Sequence, residues 1–331
     1  MTRRFVLAAG LAAASPLRAN TDIGPGWSAA RIGLDGRVQL TVAGAAQIDG
    51  DRITPETLFQ AASCSKTANA LLVLRLAADG VIDLDVPLNA QLGCWQLEGP
   101  CAHAATPAAL LTHTAGTTVD GFPGYHPGEP LPDLAAILDG TTPANTPPVR
   151  CTSRPGYARY SGGGTMVLQA LIEEVGSASW GEILSDRVLA PLGIETATIA
   201  TEPEGVTLAH GHRPDGVPLS GGWMRHPEAA AAGLWITAEG LARVGHGILT
   251  ALAGRPGALL PVALAERMIR PVSRGSAMGL FVHGSRIWHD GANFGFRSLL
   301  LLDMDRKEAT AILTNSDSGE LMFDHAMGSL G

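Results

Sequence analysis

Ser63 and Lys66 stand three residues apart in the segment FQAASCSKTANALLVLRLAADG, where a long apolar stretch begins. Residues three apart on a helix lie on the same face, so the serine hydroxyl and the lysine amine can come within hydrogen-bond distance. A hydroxyl beside a basic amine is an activated nucleophile. The spacing therefore predicts nucleophilic catalysis in which Ser63 attacks and Lys66 takes its proton.

The lysine content of the chain strengthens this interpretation. The chain has only two lysines, Lys66 and Lys307, and its other cationic side chains are arginines. Arginine is effectively never deprotonated in a protein, whereas a desolvated lysine can lose its proton and act as a base. A helix N-terminus also lowers a lysine pKa, and its free N–H groups can bind an oxyanion. The simpler alternative is that Ser63 caps the helix and Lys66 extends to water.

The elements that position these residues are indicated by hydrophobic patterns. Two alternating runs meet at Asp35-Gly36, which predicts a β-hairpin near the N-terminus. A helix buried on most sides is predicted from about Ser65 to Asp79, ended by Gly80. From about residue 277, four short runs with turn residues between them predict strands.

The middle of the chain is rich in Pro and Gly, with helical patterns at 107–112, 132–139, 163–175 and 179–189. The order of strands, helices and strands predicts an α+β fold, with an antiparallel sheet flanked by helices and a mostly helical subdomain inserted in it. We expect residues 21–80 and 221–331 to form the sheet-containing subdomain and residues 81–220 the insert.

Composition narrows the class of partner. Of 331 residues, 46% are hydrophobic and 16% are charged, which suits a folded globular protein, and the net charge of -8 argues against nucleic acid. No run beyond residue 20 is apolar for the roughly 18 residues that a membrane span needs. A small-molecule ester, amide or peptide is the expected partner, and the oligomeric state is left open.

The first 20 residues are predicted to be an export signal. Arg3 and Arg4 precede an apolar stretch of about ten residues, as in a twin-arginine signal, and Pro and Ala follow near a cleavage point. The expected location is the periplasm or the exterior of the cell. The alternative is an N-terminal helix of the mature fold.

The four cysteines fit an oxidising compartment. Cys94 and Cys101 bracket a short loop that either closes as a disulfide or stays open, while Cys64 and Cys151 have no obvious partners. The cysteine spacings fit no zinc pattern, and the histidine pair in AHGH at 209–212 has no third ligand at a suitable spacing. We expect neither a metal nor an organic cofactor.

Three segments together resemble a known enzyme superfamily. SCSK, ARYSGGGTMVLQALIEEVG and WHDGANFGFRSLLLL are similar to the three active-site elements of the serine β-lactamases and penicillin-binding proteins. The nearest branch, with a tyrosine in the second element, includes class C β-lactamases, D-aminopeptidases and family VIII carboxylesterases. LLTHTAG at 110–116 and PEAAAAGLWITAEGLARVG at 227–245 also resemble that branch.

The resemblance implies a role for each matched residue. Ser63 would be the nucleophile, Lys66 its base, and Tyr160 a second base or a proton shuttle to the leaving group. The backbone N–H groups of Ser63 and Ala292 would form the oxyanion hole. His289 would take the third-element position that a lysine holds in β-lactamases. The structural alternatives are a half-buried Tyr160 with its hydroxyl bonded and a His289 that is simply a satisfied polar group.

Two departures from the family pattern bear on the substrate. The second element reads Tyr160-Ser161-Gly162, without the asparagine that would hold a substrate amide. The third element begins at His289, and a mostly neutral histidine is a weaker anchor for a carboxylate than lysine. Both departures favour an ester or lactone over a β-lactam or a peptide.

Further residues near the motifs are predicted to contact the substrate, namely Gly162, Gly291, Asn293, Trp223 and Glu228. Glu228 lies in a segment of small residues leading to Trp235, so we expect it to be buried near the cleft. His113, in the LLTHTAG segment, is expected to be structural.

The sequence thus predicts an exported serine hydrolase that forms a covalent acyl-enzyme with an ester, a lactone or a small amide. One alternative is a D,D-peptidase, D-aminopeptidase or β-lactamase acting on peptidoglycan-type or β-lactam substrates. Another is a non-catalytic protein that binds penicillin or peptidoglycan fragments.

Overall fold

The computed structural model describes residues 25–47 and 50–323 of the chain. Its strands are Gly26–Gly33 (β1), Val38–Gly44 (β2), Phe59–Gln60 (β3), Ala197–Thr198 (β4), Trp235–Ile236 (β5), Ser276–Ala277 (β6), Leu280–His283 (β7), Arg286–Asn293 (β8), Phe296–Asp303 (β9) and Glu308–Thr314 (β10). Its α-helices are Ser65–Ala78 (α1), Pro107–Leu111 (α2), Leu134–Asp139 (α3), Gly162–Gly176 (α4), Trp180–Leu184 (α5), Ala238–Leu252 (α6) and Val262–Met268 (α7).

A seven-stranded antiparallel sheet joins the two ends of the described chain. The strand order is β2-β1-β10-β9-β8-β7-β6, and β1 pairs with β10 so that Trp27 lies opposite Thr314. β1 and β2 form the predicted hairpin, in which Gly36 adopts a φ of +79° that side chains disfavour. The predicted fold class, an antiparallel sheet flanked by helices, is confirmed.

Helices α1 and α6 both contribute to the main hydrophobic core. α6 packs across β1, β9 and β10, and its buried face includes Leu241, Val244 and Ile248. α1 is buried along most of its length, polar residues such as Lys66 and Asn69 included, and the run from Ala70 to Leu74 is fully buried. It thus has no solvent-exposed face before its last turn. α1 is therefore a fixed element on which a reactive side chain can be mounted.

The middle of the chain, from 81 to 220, contains α2 to α5, in agreement with the four helical patterns. The predicted helix at 179–189 is divided: α5 ends at Leu184 and continues as a π-helical turn, Ser185–Leu189. β4 lies in a second, three-stranded sheet of order β3-β5-β4. The boundaries of the two subdomains stay a prediction.

The disulfide joins Cys101 to Cys151. Of the two options for the Cys94–Cys101 loop, the one in which a disulfide closes it is therefore wrong. Cys151 N–H donates to Glu98 O, which brings a segment 50 residues further along the chain beside Cys101. Cys94 is exposed and its N–H donates to the Glu174 carboxylate, which holds it against α4. The partner of Cys101 is thus determined by tertiary contacts and not by the spacing of the cysteines in the sequence.

Within the described residues, no helix is both long enough and apolar enough to cross a membrane. The predicted export signal, residues 1–20, lies outside the described residues.

Candidate active site

Ser63 lies in a tight 3₁₀ turn, Ala62–Cys64, immediately before α1. Ala62 has a φ of +46°, a region that non-glycine residues rarely adopt and that tends to occur at functional sites. The turn is fixed by hydrogen bonds from Ser65 Oγ to Ala62 O at 2.6 Å and from Ala61 N to Leu234 O at 2.8 Å. Ser63 itself stays partly exposed at the start of the helix.

Lys66 is buried beneath Ser63 on the first turn of α1. Its Nζ lies 3.1 Å from Ser63 Oγ and 2.7 Å from Ala231 O, and the residue is only 3% exposed. Both partners are neutral, so burial lowers the pKa of Lys66 from 10.5 to about 7. The amine therefore does not extend to water, and near pH 7 a large fraction of it is unprotonated.

Cys64, between these two residues, is buried and faces the sheet. Its thiol donates to His289 O at 3.2 Å and accepts from Ser298 Oγ at 3.3 Å. Burial raises the pKa of the Cys64 thiol to about 12, so the thiolate is not populated near neutral pH. Cys64 is therefore an anchor of the Ser63 turn on β8 and β9 rather than a competing nucleophile.

Tyr160 completes a cluster with Ser63 and Lys66. Lys66 Nζ lies 5.0 Å from the centroid of the Tyr160 ring, and the His113 ring packs against that ring at a tilt of 42°, with the two centroids 4.5 Å apart. Burial raises the pKa of the Tyr160 hydroxyl, while a hydrogen bond with Ser63 works against this rise. The hydroxyl is consequently protonated at neutral pH and can serve as a proton donor.

His113 packs against Tyr160, and its structural role stays a prediction. Its Nδ1 accepts a hydrogen bond from Ser161 N–H at 3.2 Å, so the proton of the neutral ring lies on Nε2. Burial lowers the pKa of His113 to about 3, and the positive charge of Lys66 contributes to this. His113 is therefore a neutral ring that holds the tyrosine without adding charge.

His289 is 1% exposed and is also neutral. Its Nδ1 lies 2.6 Å from Asp290 O, which as a carbonyl accepts, so Nδ1 carries the ring proton. Nε2 is then an unprotonated acceptor, and it has no partner among the described residues. Burial, followed by the charge of Lys66, lowers the pKa of His289 to about 4. The third element thus contains a neutral imidazole with an unprotonated acceptor nitrogen. The centroid of this ring lies 6.0 Å from the centroid of the Tyr160 ring.

Gly291 lets β8 approach the Ser63 turn closely. A Cβ at this position would lie 2.9 Å from Ser63 N, 2.6 Å from Ala61 O and 2.3 Å from Ser298 Oγ, so only glycine fits. Ala292 follows Gly291 on β8 and is exposed. The backbone of Gly291 therefore lies against the Ser63 turn, and an oxyanion hole formed by Ser63 and Ala292 stays a prediction.

Gly162 has no room for a side chain. A Cβ there would lie 2.8 Å from Phe122 Cε2 and 3.3 Å from Asp120 O. Phe122 fills the space next to the position where the family has asparagine, and sequence reasoning missed it. No periodicity or motif in the surrounding GFPGYHPGEP loop signals that contact.

The side chains of Asn293 and Trp223 form hydrogen bonds within the protein. Asn293 Nδ2 donates to Gln60 Oε1 at 2.7 Å and to Ala232 O at 3.1 Å. Trp223 Nε1 donates to Thr201 O at 3.1 Å, and its ring packs edge-on against Trp235 at 5.4 Å. These contacts support the walls of the site, and substrate contact by either residue stays a prediction.

Glu228 is buried as predicted, and both of its carboxyl oxygens lack a hydrogen-bond partner among the described residues. Its Oε2 lies 3.8 Å from Nδ1 of buried His226. Burial raises the pKa of Glu228 to about 7 and lowers that of His226 to about 4, so neither is charged between these values. The pair is therefore not an ion pair. Glu228 O accepts from Ala231 N–H, in the residue whose carbonyl binds Lys66.

Comparison with known proteins gives one family and several structural likenesses. A family model described as Beta-lactamase matches residues 24–327, which confirms the resemblance inferred from the motifs. Penicillin-binding protein 4 of Amycolatopsis lactamdurans is 28% identical over 169 residues, which are 49% of this chain and 42% of that protein. The match thus spans less than half of the length of that relative.

Two solved structures are similar over most of the chain. SurE, crystallised with D-Leu, is 26% identical with a TM-score of 0.71, over 92% of this chain and 70% of that one. D-amino acid amidase from Ochrobactrum anthropi, in complex with L-phenylalanine, is 21% identical with a TM-score of 0.73, over 93% and 94%. The second likeness concerns the fold alone.

Glu228→Gln should change how stability depends on pH. In the native protein the carboxyl ionises near pH 7, but in the unfolded chain near 4.5, so the native state loses stability as the pH rises between these values. The whole effect corresponds to about 3 kcal/mol. Urea unfolding at pH 4.5, 6 and 8 should show this loss for the wild type relative to Glu228→Gln.

The matched control for this experiment is Glu204→Gln, at an exposed glutamate. Its unfolding free energy should follow that of the wild type at every pH. Parallel curves for the wild type and Glu228→Gln would mean that the buried carboxyl ionises as readily in the native state as in the unfolded chain.

Proposed function

The chain belongs to the beta-lactamase family, and we propose that it is a serine hydrolase that forms a covalent acyl-enzyme with an ester, a lactone or a small amide. The observation that carries the proposal is the buried contact of Lys66 Nζ with Ser63 Oγ at 3.1 Å. A base must be unprotonated to accept a proton, and the desolvated amine meets this condition near neutral pH.

In the proposed acylation, Ser63 Oγ attacks the substrate carbonyl carbon while Lys66 Nζ accepts the hydroxyl proton. The backbone N–H groups of Ser63 and Ala292 donate to the carbonyl oxygen as it becomes negative, and one such donor typically contributes about 3 to 4 kcal/mol. As the tetrahedral intermediate collapses, Tyr160 gives its proton to the leaving group and recovers one from Lys66. Water then releases the acyl group by the reverse sequence.

The geometry around Gly162 and His289 supports an ester or lactone over a peptide or β-lactam. Position 162 has no amide to bind a substrate carbonyl or N–H, and Phe122 occupies the adjacent space. His289 offers an unprotonated acceptor instead of a lysine cation. An ester depends less on hydrogen bonds from residues 162 and 289, because it has no amide N–H that needs a partner.

We also propose that the protein is exported. Residues 1–20 have the charge layout of an export signal, although they lie outside the described residues. The disulfide between Cys101 and Cys151 suits an oxidising compartment, since such bonds are rare in the cytosol.

The proposed nucleophile is tested by intact-mass measurement after treatment with a fluorophosphonate and with a p-nitrophenyl ester. Each reagent should give one adduct, which Ser63→Ala loses. Lys66→Arg should be acylated at least about 100-fold more slowly, because a guanidinium keeps its proton and general-base catalysis contributes about 10²- to 10⁴-fold.

The control for these variants is Ser220→Ala, at an exposed serine, which should react as the wild type does. An adduct that persists in Ser63→Ala would refute the assignment of the nucleophile. Release of p-nitrophenol beyond one equivalent separates a hydrolase from a protein that is acylated without turnover. A parallel panel of nitrocefin and D-amino-acid anilides tests the β-lactamase and peptidase alternatives.

The substrate preference is tested by Gly162→Asn with and without Phe122→Ala. The single variant should gain nothing, because its Cβ would lie 2.8 Å from the Phe122 ring. The double variant should raise kcat/KM for a p-nitroanilide relative to the matched p-nitrophenyl ester about fivefold, the value of one hydrogen bond of about 1 kcal/mol. Phe122→Ala alone is the control. An unchanged ratio in a folded double variant would show that other residues set the preference.

A further inference from the structure

A cavity of about 970 Å³ has Tyr160 among its lining residues. One wall is the loop of residues 153–160, and the other includes Arg274, which lies between α7 and β6. Ala158 N–H donates to Ser273 Oγ at 3.1 Å, so the two walls are joined. Because Tyr160 lines this cavity and also contacts the Ser63 and Lys66 cluster, the cavity adjoins the candidate active site.

The lining of this cavity is cationic, although the chain as a whole is acidic. Three arginines line it, Arg154, Arg159 and Arg274, and no aspartate or glutamate does. The chain has 31 acidic residues against 23 lysines and arginines, so this concentration of cations runs against the overall composition. Three like charges repel one another at a cost in stability, and a bound anion would relieve that repulsion.

The three arginines differ in the hydrogen bonds and ion pairs that they form with the rest of the protein. Arg159 donates to Ser153 Oγ at 3.1 Å and lies 3.7 Å from an Asp120 carboxylate oxygen. Arg274 stacks over the Tyr157 ring at 4.3 Å, which leaves the edge of its guanidinium free to donate. Among the ion pairs of the described residues, none includes Arg154 or Arg274.

The candidate active site around Ser63 offers no permanent cation of its own that could bind an anion. His289 is neutral with an unprotonated Nε2, and Lys66 is buried beneath Ser63. Asp290, exposed on β8, adds through its negative charge to the rise that burial causes in the pKa of Tyr160, and it would repel an anion. Anion recognition next to Tyr160 therefore has to come from the arginines that line the cavity.

We propose that this cavity, the arginine pocket, binds a carboxylate carried by the leaving group of the substrate, held by Arg154 and Arg274. The proposal rests on the serine hydrolase function above, in which Tyr160 protonates the leaving group. A group that departs next to Tyr160 enters the cavity that Tyr160 lines. A guanidinium binds a carboxylate through two parallel hydrogen bonds, and the half-exposed Tyr157 ring provides an apolar wall beside it. The substrate class is thus an ester whose leaving group is a hydroxy acid with a free carboxylate.

The experiment compares two chromogenic esters of the same acyl group, one of 4-hydroxybenzoate and one of its neutral analogue 4-hydroxybenzamide. For the wild type, kcat/KM should be about tenfold or more higher for the anionic ester. The Arg154→Gln/Arg274→Gln variant should lose most of this ratio, and 0.5 M NaCl should reduce the ratio for the wild type. Arg37→Gln, at an exposed arginine of the β1–β2 hairpin, is the matched control and should retain it. An equal ratio for the wild type and the double variant would overturn the proposal.

A second measurement separates failure of the pocket from failure of the proposed function. Calorimetric binding of 4-hydroxybenzoate to Ser63→Ala protein requires no catalysis, and it should be at least about tenfold tighter than binding of 4-hydroxybenzamide. The preference should disappear with Arg154→Gln/Arg274→Gln. If neither ester is hydrolysed yet this preference is found, the pocket stands and the hydrolase proposal fails. If hydrolysis occurs without any preference for the anion, the pocket fails alone.

Discussion

The burial of one amine among neutral groups is the constraint on which the candidate site depends. Lys66 is enclosed by α1 and the turn 229–233, and its two polar contacts, Ser63 Oγ and Ala231 O, carry no charge. Because neither partner compensates the ammonium, desolvation lowers its pKa to about 7. A base with this pKa can both take and return a proton near neutral pH, as a two-step acyl transfer requires.

The same burial determines the charge of the groups around Lys66. His113, His226 and His289 are all buried with lowered pKa values, and the charge of Lys66 contributes to each shift. The interior of the site therefore holds at most one cation, and protonation of Lys66 disfavours the others. A site built in this way has no fixed positive charge to bind an anionic substrate, and for this reason we propose that the exposed arginines beside Tyr160 bind one.

The sequence predicts what local spacing and hydrophobic pattern determine. The contact of Ser63 with Lys66 follows from one helical turn, and the place of Tyr160 follows from a motif and the apolar helix after it. What the sequence did not reveal depends on long-range packing. Cys101 pairs with Cys151 because a distant segment hydrogen-bonds beside it, and Phe122 fills the space at position 162 from a loop without any pattern. Helices α6 and α7 are likewise absent from the predicted elements.

The central claim, that Lys66 is largely unprotonated near pH 7, can be measured directly. With only two lysines in the chain, ¹³Cε,¹⁵Nζ-lysine labelling gives two NMR signals, one for Lys66 and one for Lys307. One signal should titrate near pH 7 and be lost in Lys66→Arg. Two signals that both titrate above pH 10 would contradict the account.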